Sequence, residues 1–325
     1  MNTMRAVVQD TYGTADVLRL AQIDRPEVAA NEVLVSVLAA GLDRGTEHLL
    51  TGKPYAMRVM GFGFRKPKNQ VPGLDVAGRV AAVGSAVTRF AVGDEVFGIS
   101  RGSFAEYAVA LEDKLSLKPA NLTFEQAAVV PVSGLTALQA LRDAGRVAAG
   151  QRVLVIGASG GVGSFAVQLA KAFGAQVTGV SSGAKTDLVR ALGADHVIDY
   201  TTQDFADGTN RYDLIIDTGG NATVSRLRRA LTDRGTLVIV GGENGGKLTG
   251  MGRQLRALAI SPFVRQRLTM QVPKENYRDL DVLTGMIEAG SVTPSIDRTY
   301  ALDHAPDAIR HLVAGNVRGK VAITI

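Results

Sequence analysis

No cysteine occurs among the 325 residues. That single absence excludes disulfides, a cysteine nucleophile, thiolate-ligated zinc and iron–sulfur clusters. Long apolar runs are missing too: none reaches the roughly 18 residues that a membrane-crossing helix needs. No charged stretch leads into an apolar one at the N-terminus, so neither secretion nor a membrane part is expected, and the default is a cytoplasmic protein. Internal repeats and a low-complexity tail are also lacking. The net charge is +5, yet the basic residues are scattered. Their densest groups, Arg65 with Lys66 and Lys68, and Arg226 with Arg228 and Arg229, read as solvated faces. Without a basic patch interleaved with aromatics, nucleic acid is not an expected partner.

What is present centres on Val153 to Lys171, VLVIGASGGVGSFAVQLAK. Val153 to Ile156 form a continuous apolar run, as in a parallel strand buried on both faces. Beyond the glycines, Val162, Phe165, Ala166, Leu169, Ala170 and Phe173 recur at helical spacing. Between the two, Ser159, Gly160, Gly161, Val162 and Gly163 make a turn whose amides can approach a diphosphate, with the helix N-terminus favouring its charge. The spacing, G-x-x-G-G-x-G, is one residue longer than the usual dinucleotide fingerprint, so the pattern needs its context.

The context is β-then-α alternation. Strands are expected at Gln176 to Val180, His196 to Asp199, Leu214 to Asp217 and Thr236 to Val240, and helices at Lys185 to Leu192 and Thr223 to Leu231. This predicts an α/β chain with a doubly wound parallel sheet of Rossmann type. Earlier residues read differently, as short strands at Arg5 to Gln9, Glu32 to Ala40, Val76 to Val83 and Glu106 to Ala110. Turn signals such as Gly93-Asp94 suit a mostly antiparallel, partly closed sheet. Thr123 can cap a helix from Phe124. A C-terminal helix near Ala305 to Ala314 and a strand at Val321 to Ile325 are expected to rejoin this first domain. The expected division is a β-rich domain of residues 1–122 and 262–325 and a dinucleotide-binding domain of residues 123–261, each long enough for its own core.

With these parts in view the chain resembles the medium-chain dehydrogenase/reductase superfamily, within it the zinc-free quinone oxidoreductase and enoyl or alkenal reductase branch. The resemblance is carried by Val71 to Gly98, VPGLDVAGRVAAVGSAVTRFAVGDEVFG, by VSGLTAL from Val132, by GASGGVG, by GADHVIDY from Gly193 to Tyr200, and by GTLVIVGG ending at Gly242. It implies a GroES-like catalytic domain beside the Rossmann domain, with substrate held between them, and a homodimer. Ala39 to Gly52 is similar to the first catalytic segment of zinc alcohol dehydrogenases. Here, however, Asp43 stands at a zinc-binding cysteine position and Leu74 at a histidine position, and Pro131 and Val132 offer no third ligand. Catalytic zinc takes about three protein ligands, so no metal is expected. Without a Lewis acid, an activated C=C bond or a quinone is an easier target than an isolated carbonyl, because conjugation spreads the developing charge.

The second strand of the nucleotide domain ends in Ser181 and Ser182, with Lys185 next, where NAD-preferring sites place a carboxylate for the ribose 2′-OH. Hydroxyls and an ammonium suit a 2′-phosphate, so NADPH is the expected cofactor. The resemblance places Tyr200 near the same phosphate, Thr136 with Gly241 and Gly242 at the nicotinamide half, and Asn221 near the adenosine side or pyrophosphate. It also brings Arg44 and Lys53 to the cofactor, although both are equally read as surface charges.

By the resemblance, Asp43 falls where quinone oxidoreductases often have an asparagine in the substrate pocket. His48 falls where relatives have a tyrosine or a proton-relay histidine, which makes it the candidate acid for protonating an enolate, alone or through a water. Solvent, or a merely structural His48, remains open. His196, His304 and His311 receive no role. Tyr55, Met57, Met60, Phe62 and Phe64, with Pro262 and Phe263, are expected to wall a pocket for a small, flat, apolar quinone or enone, or else to fill a core. The stretch from Met57 to Asn69 is long and basic enough to act as a lid. The alternatives are an alcohol or carbonyl dehydrogenase, or a non-catalytic NADPH-sensing or RNA-binding protein on the same fold.

Overall fold

The computed structural model describes residues 3–241 and 250–325. Two compact units emerge: residues 1–133, 275–289 and 294–325 in one, and residues 134–274 with 290–293 in the other.

The first unit opens with β1 (Thr3–Val8) and β2 (Arg19–Asp24), which pair with each other antiparallel. There follow β3 (Glu32–Leu42), α1 (Arg44–Thr51), β4 (Asp75–Val83), β5 (Glu95–Ile99), β6 (Tyr107–Leu111), β7 (Leu115–Leu117) and α2 (Phe124–Ala128). Alternation of apolar residues on β3 and β4 buries Val33, Val35, Val37, Val76 and Val80 in one cluster with Phe90, Val96 and Leu115. β3 is the hub, bonded to β4 along one path and also to β6, which is how the sheet partly closes. The α2 cap is as expected and more complete: Thr123 Oγ1 accepts from Gln126 N, and the Gln126 side chain accepts from Thr123 N.

The second unit begins within α3 (Pro131–Gln139) and contains β8 (Arg152–Ile156), α4 (Gly161–Ala172), β9 (Gln176–Ser181), α5 (Thr186–Ala191), β10 (His196–Asp199), β11 (Tyr212–Asp217), α6 (Val224–Ala230), β12 (Leu231–Ile239), α7 (Gly252–Ile260) and β13 (Arg267–Met270). The six strands are all parallel, in the order β10-β9-β8-β11-β12-β13. β8 sits centrally, which is why its side chains are apolar without alternation. Helix α4 departs from the expected single buried stripe. Gly163 to Ala170 are buried without interruption, while Val162 and Phe173 are half-exposed. The residues 290–293 cover its outer side, where Gln168 Nε2 donates to Thr293 O at 3.0 Å.

Finally α8 (Tyr277–Glu288), β14 (Ile296–Ala301), α9 (Ala305–Val313) and β15 (Lys320–Thr324) return to the first unit, β15 pairing antiparallel with β3. The unit boundaries differ from the expected 122/123 and 261/262. Residues 123–133 stay with the first unit because α2 packs on β3 and β4. Residues 262–274 stay with the second because β13 hydrogen-bonds β12.

Candidate functional site

In a parallel sheet flanked by helices, ligands gather at the carboxyl ends of the strands. At the end of β8 the chain turns at Gly157, which has φ +80 and whose added Cβ would lie 2.6 Å from Thr218 Oγ1. This corrects the sequence reading: the strained turn falls on Gly157, whereas Gly160 has an ordinary φ of −87. Gly163 has another task. A Cβ there would sit 2.0 Å from Gly157 O, so only glycine lets α4 start this close to the strand. The N-terminus of α4 has no side-chain cap, leaving its first amides, from Gly161, Val162 and Gly163 beside the buried Ser159, for an anion.

Next to this turn, the end of β9 brings together the residues expected at a 2′-phosphate. Tyr200 N donates to Ser181 O at 3.1 Å and Lys185 N to Ser182 O at 2.9 Å, so Ser181, Ser182, Lys185 and Tyr200 share one corner. Ser181 is buried, Lys185 half-buried and Tyr200 exposed. Beside them, at the end of β10, lies Asp199, which was not among the residues expected at the site. Its carboxylate accepts from Thr201 Oγ1 at 2.7 Å and Thr201 N at 3.0 Å. Those bonds and one from Gly183 N hold it below the usual carboxylate range. The signal was there, an acid two residues before a threonine.

Across β8, the end of β11 carries Asp217, which is fully buried and paired with the Arg253 guanidinium. Burial raises its pKa against the opposing pull of Arg253. Asp217 O also receives Val240 N and Gly241 N, and a Cβ on Gly241 would lie 2.4 Å from Thr218 O, so the loops after β11 and β12 are laced together. Asn221 lines an open pocket with Thr223, Arg253 and Arg256. Neither arginine was expected at the site from the sequence. Thr136 is buried on α3. Gly242 lies outside the described residues, as does the side chain of Met60.

Phe263 and Pro262 do not belong to this edge. They precede β13, and because β13 runs parallel to its neighbours they lie at the opposite, amino end of the sheet. Phe263 is 87% exposed there. Their expected place in the site, including Phe263 as a cofactor contact, is corrected accordingly.

In the first unit, Asp43 is the N-cap of α1, its Oδ1 accepting from Thr46 N at 2.8 Å and from Thr46 Oγ1. Its Oδ2 is buried without a hydrogen-bond partner. Arg44 opens the helix and is half-buried. His48, further along, has a side chain 37% exposed, with Nδ1 3.6 Å from Glu47 Oε2. Gly52 ends α1 in the left-handed region, and Arg58 donates to Gly52 O and Thr51 O, closing the helix from outside. Lys53 is exposed beyond that end. Tyr55, Phe62 and Phe64 are exposed and Met57 half-buried, which excludes the core-filling reading of these side chains.

Behind Asp43, on the adjoining strand, lies a cluster that the sequence reading did not foresee. Asp75 begins β4 with no exposed surface, accepting from Val132 N at 2.8 Å and facing Lys320 Nζ at 3.5 Å. Lys320 Nζ donates in turn to Ser133 Oγ at 3.0 Å. Burial pushes the Asp75 carboxyl up to about 7, with Asp43 adding to the rise and Lys320 opposing it. Leu74 beside it is apolar, and among the described residues no group of three or more His, Asp or Glu is arranged to hold a metal ion.

Two known domain families match the chain. Residues 29–120 match the alcohol dehydrogenase GroES-like domain, and residues 192–323 match the family described as zinc-binding dehydrogenase. A 2-methylene-furan-3-one reductase of Solanum lycopersicum is 34% identical over 98% of this chain and 79% of its own length. The chloroplastic NADPH-dependent alkenal/one oxidoreductase of Arabidopsis thaliana is 35% identical with the same coverage. The chain belongs to the medium-chain dehydrogenase/reductase superfamily, in its quinone and enoyl reductase branch. The solved quinone oxidoreductase of Coxiella burnetii superposes with a TM-score of 0.88 at 30% identity, covering 99% of each chain. The medium-chain fold, a Rossmann unit with a GroES-like unit, is therefore established, as is membership among oxidoreductases. None of the described helices is long and apolar enough to cross a membrane.

Proposed function

We propose that this medium-chain oxidoreductase uses NADPH to reduce quinones or the C=C bond of α,β-unsaturated carbonyls, without a metal ion. The observation that carries the reading is the corner at the end of β9. Ser181, Ser182, Lys185 and Tyr200 meet there, and the neighbouring carboxylate, Asp199, belongs to β10 and is engaged by Thr201 and the Gly183 amide. No carboxylate ends β9, where NAD sites supply the acceptor for the ribose 2′-OH, while a 2′-phosphate gains an ammonium and hydroxyls.

The uncapped start of α4 fits the diphosphate of such a cofactor. Gly160, Gly161, Val162 and Gly163 would hold it through backbone amides, Lys185 and the serines would hold the 2′-phosphate, and Asn221, Thr136 and Gly241 would flank the remainder. The cofactor supplies the hydride. The protein orients the acceptor and stabilises the enolate or hydroquinone anion, with His48 as proton donor. Metal independence is supported by Asp43, whose carboxylate caps α1 through Oδ1, and by the apolar Leu74.

We also propose a homodimer. β13 is an edge strand of the six-stranded sheet, and Leu255, Leu258 and Phe263, beside it in sequence, are exposed. A second copy would cover both the unpaired backbone and the apolar surface.

The test is NADPH oxidation against 9,10-phenanthrenequinone, 1,4-benzoquinone, 2-hexenal and an unactivated ketone, beside NADH and with a chelator. Turnover of quinone or enal with NADPH, unchanged by the chelator, is the expected result. Turnover confined to the ketone, or abolished by the chelator, would select the alcohol dehydrogenase reading, and NADPH binding with no turnover the sensor reading.

A further inference from the structure

The loop from Phe62 to Lys68 is built as a fixed tip. Lys68 N donates to Phe62 O at 2.9 Å, closing the loop on itself, and the Tyr12 hydroxyl donates to Phe62 O at 3.0 Å and to Gly63 O at 2.6 Å. Pro67 is buried in its base. Gly63 has φ +111, and a Cβ there would lie 2.1 Å from Lys66 O, so the turn depends on glycine. The surface of this closed loop is unusual. Phe64 is 70% exposed and Phe62 45%, and Val59 just before them is 73% exposed. Arg65, Lys66 and Lys68 stand among them, all exposed, and among the described residues none of the three pairs with a carboxylate.

A basic run by itself reads as a solvated face, but a solvated face has no use for two exposed benzyl groups on a loop held by the Tyr12 hydroxyl and the Lys68 amide. We infer that this loop docks the protein on the surface of an anionic lipid bilayer. The rings suit the boundary between headgroups and acyl chains, while the long stems of Arg65, Lys66 and Lys68 carry their charges to the lipid phosphates. The anchoring by Tyr12 and the Lys68 amide means that little ordering entropy remains to be lost on contact. Reversible attachment to a charged bilayer needs only a few rings and cations, which is what this tip presents. This inference goes beyond the proposed reduction and does not depend on it.

The test is co-sedimentation of the full chain with vesicles of phosphatidylcholine alone and of phosphatidylcholine mixed with phosphatidylglycerol, at low and high salt. The wild type is expected to sediment with the mixed vesicles only, and less so at high salt. The triple variant R65Q/K66Q/K68Q is expected to bind these vesicles about a hundredfold more weakly, taking about a kilocalorie per mole for each charge at the surface. F64S is expected to bind more weakly too, and thermal unfolding at the wild-type temperature shows that both variants are folded. A wild type that stays in the supernatant with phosphatidylglycerol, or a folded triple variant that sediments as the wild type does, overturns the inference.

Discussion

Lys320 Nζ lies 3.5 Å from Asp75 Oδ2 with both side chains almost completely buried, so β15 is joined to β4 by a contact that no solvent screens. Removing Lys320 leaves the buried Asp75 carboxyl without its cation, so that it either stays charged without compensation or must take up a proton, whereas replacing both members with neutral groups leaves neither cost. Lys320→Met is therefore expected to destabilise the protein by about 3–5 kcal/mol, and the double variant D75N/K320M to recover much of that loss. Urea denaturation of the two variants checks this, and equal losses in both would refute the account.

The same carboxyl makes stability depend on pH. Burial raises Asp75 to about 7, so between the ordinary aspartate range near 4 and about pH 7 the folded state holds a proton that the unfolded chain has released. The contribution of Asp75 is fully present below that window and is lost as pH rises through it. A denaturation midpoint for the wild type that falls from pH 4 to 7 more steeply than that of D75N/K320M is the expected outcome.

The sequence made the nucleotide unit legible because its signals are local. The β-branched run of β8 and the helical spacing of α4 each lie within a few residues of the feature they determine. Long-range partners were hidden. Nothing near Asp75 announces Lys320, 245 residues away, and nothing near Asp217 announces Arg253. Phe263 was misplaced for a related reason: residues on both sides of α7 are close in sequence, but the helix carries the chain from one end of the sheet to the other.

Gly160 and Gly163 look interchangeable in the motif and are expected to behave differently. Gly163→Ala drives a methyl against Gly157 O and should cost about 3 kcal/mol of stability, near the upper end for overpacking. Gly160→Ala meets only Gly157 O at 3.3 Å, so its melting temperature should stay near that of the wild type while NADPH binding weakens. Thermal unfolding and fluorescence titration with NADPH separate the two effects, and unchanged binding by Gly160→Ala would remove that residue from the cradle.

Lys185→Glu tests the cofactor choice. Losing a charge-assisted bond to a 2′-phosphate and adding repulsion should raise KM for NADPH by roughly 10- to 100-fold, with KM for NADH little changed. A parallel rise for both nucleotides would mean that Lys185 supports the fold of the corner and does not read the phosphate.

His48→Gln addresses the proton. The residue sits on a helix fixed at both ends, by Asp43 at its start and by Gly52 with Arg58 at its finish, so an isosteric change should leave the helix in place. If His48 protonates the enolate, kcat should fall by about a hundredfold with KM for NADPH unchanged, and the solvent deuterium isotope effect on kcat should rise as proton transfer becomes limiting. Added imidazole should restore part of the rate, since the half-exposed position admits a small donor. A variant with the wild-type kcat and no change in isotope effect would assign the proton to solvent and leave His48 as a helix residue paired with Glu47.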